Sequence, residues 1–271
     1  MKNLQAVAKI PILTAVDEEG GTVVRVSSNP QLAPARFRSP QAVYAAGGLS
    51  AVAADTKQKS VILEKIGLNL NLAPVVDVST DPKDYMFSRS LGQNAQVTAE
   101  FARTVIEASR GSEVSYTLKH FPGYGNNLDT HTSSSIDQRN FDDLIQRDLV
   151  PFQAGIDSGA EAVLVSHNTV TALDPENPAS LSSNIHTLLR LGLGFTGVII
   201  TDDIAMAALD ASAETTLWAI LAGNDLVITS DYARSMRELR LALADGRLEM
   251  VQLDRAVKRV LAWKYYKSLI L

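Results

Sequence analysis

Short apolar runs alternate with helical stretches along this chain, which predicts an α/β fold: parallel strands joined by helical crossovers. Two further observations narrow the class. Polar residues recur just after the strand-like runs, at Asp17, Asp77, Lys119, His120, His167 and Asp202, as they do where a (β/α) barrel keeps its active face. The 271 residues, unbroken by any linker, also suit one such barrel, taken as a single domain over 1–271. An open doubly wound sheet is the runner-up, but no glycine-rich dinucleotide fingerprint follows the first strand.

The elements read in order as follows. Leu4 to Lys9 is the end of a helix, and it runs into a short strand from Pro11 to Val16 that stops at Asp17-Glu18-Glu19-Gly20-Gly21. Ser39 caps, and Pro40 begins, an alanine-rich helix reaching Lys65, which Gly67 stops. Leu70 to Asp77 is the second strand, and a polar loop with Arg89 follows it. A helical period from Ala95 to Arg110 ends at Gly111, before the strand Ser115 to Leu118. Asn140, with Asp143 three residues on, opens the next helix, which is expected to restart at Asp148 before Pro151. Ala162 to Ser166 is a strand ending at His167, and Leu181 to Leu191 is helical. The clearest buried strand is Gly197 to Thr201, ending in Asp202-Asp203. A helix to Ala222, a strand from Asp225 to Thr229, and amphipathic helices from Ala233 to Ala244 and Val251 to Leu269 complete the chain. That makes six strands, where a full barrel has eight.

Apolar residues at 46% and charged residues at 20% match a protein that buries a large core. A net charge of -5 with no basic cluster argues against nucleic acid as a partner. The absence of cysteine excludes disulfides and thiolate metal sites, but leaves the compartment open. Met1-Lys2-Asn3-Leu4-Gln5 lacks the apolar core of a signal peptide, and no run is long enough to span a membrane.

Most of the unusual chemistry lies between Lys119 and His131, in the run Lys-His-Phe-Pro-Gly-Tyr-Gly-Asn-Asn-Leu-Asp-Thr-His. Pro122, Gly123 and Gly125 break regular structure and let the backbone carry Asp129 and His131 outward. A carboxylate two residues from an imidazole can orient it and make it a better base. The competing reading is a surface histidine, or a metal site using His120, His131 and His167. Their spacing matches no compact zinc motif, so no metal or cofactor is expected. Asp202, at the end of a dry strand, suits a nucleophile or a charge stabiliser; the alternative is that Asp202 or Asp203 caps a following helix at Ile204. Asp17, Arg89 and Lys119 are of both signs on one predicted face, as suits a hydroxyl-rich neutral ligand, or else they are ordinary rim salt bridges. Glu18 and Glu19 are read as shaping the turn at Gly20-Gly21.

With these residues in place, the chain resembles the N-terminal barrel domain of glycoside hydrolase family 3, most closely its single-domain β-N-acetylglucosaminidases. Four motifs carry the likeness: Asp17-Glu18-Glu19-Gly20-Gly21, Arg89-Ser90-Leu91-Gly92, Lys119 to His131, and Gly197 to Asp203. The resemblance implies Asp202 as nucleophile, His131 as general acid/base with Asp129 as its partner, and Asp17, Arg89, Lys119 and His120 as holders of the non-reducing sugar. It implies a carbohydrate substrate and no cofactor. Thr22 and Tyr124 depart from the arginine and histidine the family often has there. Family members also place a strand and helix before the Asp17 motif. The expectation is therefore a (β/α)8 TIM-like barrel lacking its first strand and helix, with the edge at Pro11 to Val16 patched by the terminal segments or by another chain.

Overall fold

The computed structural model describes residues 1–125, 135–206, 209 and 214–270. Its centre is a parallel six-stranded sheet: β1 (Ala15–Val16), β2 (Leu70–Asn71), β3 (Ser115–Phe121), β5 (Ala162–Val165), β7 (Val198–Asp203) and β8 (Leu226–Ile228), neighbours in that order. A second, two-stranded parallel sheet joins β4 (Ile136–Asp137) to β6 (Thr169–Val170). Helices α1 (Lys2–Val7), α2 (Pro40–Lys65), α3 (Ala95–Ala108), α4 (Phe141–Asp143), α5 (Leu149–Asp157), α6 (Ser183–Thr187), α7 (Thr215–Ala222), α8 (Tyr232–Ala244) and α9 (Met250–Tyr266) complete the order. The main sheet is an open half-barrel. Among the described residues β1 and β8 are its two edges, as the count of six strands led one to expect.

Strand alternation sorts the core into two layers. Tyr116, Leu118, Val163, Val165 and Ile199 face α2, α3 and α5, where Phe101, Val105 and Phe152 meet them. Phe121 and Phe152 pack edge to face at 5.1 Å, which adds about 0.5–1.5 kcal/mol to their burial. Gly155 makes room for this layer, since a β-carbon there would lie 2.6 Å from Leu118 Cδ1. On the opposite face, Leu70, Leu72, Ala162, Leu164, Val198 and Ile200 enclose Trp263 of α9. The indole Nε1 donates to Ser115 Oγ at 2.9 Å and lies 3.2 Å from Glu161 Oε2, so the C-terminal helix is fastened across the N-terminal ends of β3 and β5. A terminal segment thus covers part of the open sheet.

Several expected elements are adjusted. The run from Pro11 contributes only Ala15–Val16 as strand, and its Ile12 is tied instead to Gln5 at 2.7 and 2.9 Å. The long second helix is broken at Gly47 and Gly48, the latter at φ +60°. The helix from Asn140 does not restart at Asp148. It continues through a π-helical turn, Leu144–Asp148, and the Asp148 side chain does not cap α5. A second π-helical turn, Leu188–Gly192, extends α6.

Candidate active site

The C-terminal ends of the strands gather the site. Asp17 and Glu19 follow β1, and because side chains alternate, the two point the same way while Glu18 points away. Glu18 is buried and accepts the backbone N–H groups of Arg25, Val26 and Ser27, which holds the chain beyond Gly20-Gly21 in place. Glu19 turns into the cluster. Its carboxylate takes Arg89 on both oxygens, Nε at 3.0 Å and Nη2 at 2.7 Å, and lies 2.7 Å from Lys119 Nζ. Lys119 also donates to Asp17 Oδ1 at 2.8 Å.

The pairing of β3 with β5 loses register between Leu118 and Phe121, and that irregularity presents Lys119 and His120 at the strand's exit. The peptide bonds Ala73–Pro74, Lys119–His120 and Phe121–Pro122 are cis. Asp77, which lies beyond β2, clasps this exit. Its Oδ2 receives His120 N at 3.2 Å and His120 Nδ1 at 2.7 Å, and its Oδ1 receives Tyr124 N at 2.7 Å. Nδ1 of His120 faces Asp77, and its other nitrogen lies 3.4 Å from Arg89 Nη2. Asp77, His120, Arg89, Glu19, Lys119 and Asp17 therefore form one continuous chain of alternating partners.

Asp202 stands near the end of β7, where the pairing with β8 again loses register, between Ile200 and Asp203. Burial alone would raise its pKa, but the His120 and His167 imidazoles and the Lys119 ammonium outweigh that and hold it below the usual carboxylate value. Asp203 N donates to its Oδ1 at 2.9 Å. Asp202 is thus an ionised, half-buried carboxylate within the field of the cluster. Neither aspartate caps a helix at Ile204; Asp203 Oδ1 accepts Ala205 N in a turn. His167 stands behind the pair, 2.7 Å from Ser180 Oγ and 3.0 Å from the carbonyl oxygen of Asp203. A carbonyl only accepts, so Nε2 carries a proton directed at it.

Burial sets the charges of the other members as well. For Glu19, burial opposes ionisation, yet Lys119 and Arg89 bring its pKa down to about 2. Lys119 is raised above its ordinary value because Glu19 and Asp17 overcome its own desolvation.

Asp17, Arg89, Lys119, His120 and Asp202 are thus brought to one end of the sheet. Asp129 and His131 lie outside the described residues. The segment that leads to them rests on a second buried network: Arg139 joins Asp137 at 2.6 Å and Asp148 at 2.5 Å, beneath Gly123 and Gly125. Sequence reasoning missed Glu19, read as a turn residue, and gave Asp77 no role. The signal for Glu19 was its separation of two from Asp17 at a strand end.

Residues 1–263 match the family described as glycosyl hydrolase family 3 N terminal domain. A β-hexosaminidase of Xanthomonas campestris pv. campestris (strain B100) is 39% identical over 210 residues, covering 76% of this chain and 62% of that protein. The chain thus spans less than two thirds of this curated relative. The glycoside hydrolase family 3 β-N-acetylglucosaminidase of Paenibacillus sp. str. FPU-7 superposes with a TM-score of 0.92 at 30% identity, over 99% of this chain and 53% of that one. The β-glucoside phosphorylase BglX superposes with a TM-score of 0.88 at 26% identity, over 99% and 51%. With a continuous family match across nearly its whole length, this chain belongs to glycosyl hydrolase family 3, within the N-terminal domain.

Proposed function

We propose that residues 1–271 are one catalytic domain of a retaining β-N-acetylhexosaminidase that releases terminal, non-reducing β-linked N-acetylglucosamine from glycans such as peptidoglycan or chitin fragments. The observation that carries this reading is Asp202: an ionised carboxylate at a strand terminus, facing a polar cluster of both signs. Asp17, Arg89, Lys119 and His120 hold the sugar through its hydroxyls. An Asp202 oxygen attacks the anomeric carbon while His131, oriented by Asp129, gives its proton to the leaving glycosidic oxygen, and the C–O bond breaks. His131 then takes a proton from water, the water oxygen bonds to the anomeric carbon, and the Asp202 ester is released.

The likeness to a β-glucoside phosphorylase supports a second reading, in which phosphate replaces water in the last step. Hydrolysis is favoured because the Xanthomonas campestris relative is a β-hexosaminidase. Two experiments test the proposal. Release of p-nitrophenol from the N-acetylglucosaminide and the glucoside, each with and without phosphate, sets the substrate and the acceptor. Mass spectrometry after a slow fluorinated substrate should find the label on Asp202 and no turnover in Asp202→Ala; a label on Asp203, or none, would overturn the assignment.

A further inference from the structure

Glu19 is fixed at its peptide groups as well as at its carboxylate. Its N–H donates to Val23 O at 3.1 Å, and its carbonyl oxygen accepts from Lys59 Nζ at 3.0 Å. Lys59 belongs to α2, beyond the break at Gly47 and Gly48, and reaches the turn from the helical layer. It is buried, pairs with Asp55 Oδ2 at 2.8 Å one helical turn back, and stands 5.2 Å from the centre of the Phe37 ring. The Phe37 carbonyl in turn accepts Gly21 N at 3.0 Å. One ammonium thus joins the Glu19 peptide, a helix carboxylate and the segment that closes the Gly20-Gly21 turn.

The helix that carries Lys59 is itself tied to β3. Tyr116 Oη donates to Thr56 O at 3.1 Å and lies 3.2 Å from Ser60 Oγ, so the residues around Lys59 are fastened to the strand that presents Lys119. Both members of the Glu19–Lys119 pair are therefore held against the same stretch of helix. The turn has little slack beside it, because a β-carbon on Gly20 would collide with Arg38 O. Stability alone does not account for a buried ammonium here, since ion pairs of this kind are often replaced by apolar side chains without loss.

We propose that Lys59 is a positioning residue for the sugar site: by holding the Glu19 carbonyl it sets where the Glu19 carboxylate stands, and so how Arg89 and Lys119 are presented to a sugar. It touches no substrate itself. The inference rests on the reading that Arg89 and Lys119 hold the non-reducing sugar. Without the ammonium the Glu19 carbonyl loses this donor and the peptide is free to turn. The carboxylate then no longer meets both cations at once.

The variants Lys59→Met and Lys59→Met/Asp55→Leu separate positioning from stability. The first strands the Asp55 carboxylate and should melt lower than the wild type; the second removes that charge as well and should melt above the first. Isothermal titration calorimetry with N-acetylglucosamine reads the sugar site. Competitive acetylation with acetic anhydride, followed by mass spectrometry, reads the shielding of Lys119 with no sugar present. Both variants should bind N-acetylglucosamine about tenfold or more weakly, as loss of one charge-assisted hydrogen bond implies. Both should also acetylate Lys119 faster than the wild type, in which that residue is buried. Wild-type affinity or wild-type shielding of Lys119 in either variant would make Lys59 an ordinary buried ion-pair partner and overturn the proposal. If the wild type itself binds no N-acetylglucosamine, the sugar reading falls, and the acetylation rates alone decide whether Lys59 positions the Glu19–Lys119 pair.

Discussion

Glu19 and Lys119 lie 2.7 Å apart, both nearly inaccessible to solvent, and the same carboxylate holds Arg89 at both oxygens. One buried anion is therefore shared by two buried cations, and Asp17 supplies the second negative charge through Lys119. Removing one partner of such a group strands the others, which costs about 3–5 kcal/mol. Glu19→Gln keeps the shape but not the charge, so it should lower stability by about that amount and scatter Lys119 and Arg89. Urea denaturation reads the stability, and sugar binding should weaken in parallel; a variant of unchanged stability would remove Glu19 from its central place.

The same residue shapes the acid limb of stability. Its pKa of about 2 in the fold lies below the usual carboxylate value near ~4.3, because Lys119 and Arg89 outweigh its burial. A depressed carboxylate pKa stabilises the fold above its unfolded value, and the contribution is lost as pH falls from about 4 through about 2. Asp148 does the opposite. Burial raises it to about 6 despite Arg139, so its contribution is fully present below about 4 and is lost as pH rises through about 6. Each shift of about two units is worth on the order of 3 kcal/mol. Melting temperature against pH should therefore fall between about 4 and 6 more steeply in the wild type than in Asp148→Asn. Parallel curves would show that Asp148 titrates normally.

How far these features were legible follows from their range along the chain. Asp17, Lys119, His120 and Asp202 stand at strand ends, so apolar runs followed by polar residues placed them on one face, while Arg89 lies within the loop after β2. The helix-cap alternative for Asp202 and Asp203 had the same local sequence, and only the strand's continuation to Asp203 separates the two. Glu19 was hidden by its Gly-Gly neighbours, which read as a turn. The ion pair of Arg139 and Asp148 depends on the π-helical turn between them, which no helical period announces. Strands β4 and β6, two residues each, are too short to carry alternation.

His131 lies outside the described residues, and its proposed role as acid/base makes a kinetic prediction. A substrate with a poor leaving group needs the proton, whereas an activated aryl glycoside does not. His131→Ala should therefore lose at least about tenfold more kcat/KM on an alkyl or sugar aglycone than on a nitrophenyl one, within the usual 10²–10⁴-fold contribution of such a residue. Equal losses on both substrates would argue for a structural histidine.

Gly123 supports the route to that loop, and its replacement separates conformational strain from contact. Its φ is +124°, and a β-carbon there would meet Asp148 Cβ at 2.5 Å and Oδ1 at 2.7 Å. Asp148 cannot retreat, because it is buried and tied to Arg139 at 2.5 Å. Gly159 has a comparable φ of +89° but open space where its β-carbon would stand. Gly159→Ala should cost only the left-handed penalty of about 1–2 kcal/mol. Gly123→Ala should add about 1–3 kcal/mol for the forced contact. It should also reduce turnover, since Gly123 N is held by His120 O at 2.8 Å and any shift reaches His120 directly. Thermal unfolding and steady-state kinetics on the two variants decide this: equal destabilisation, or Gly123→Ala with full activity, would show that the exit of β3 yields to Asp148 rather than being fixed by it.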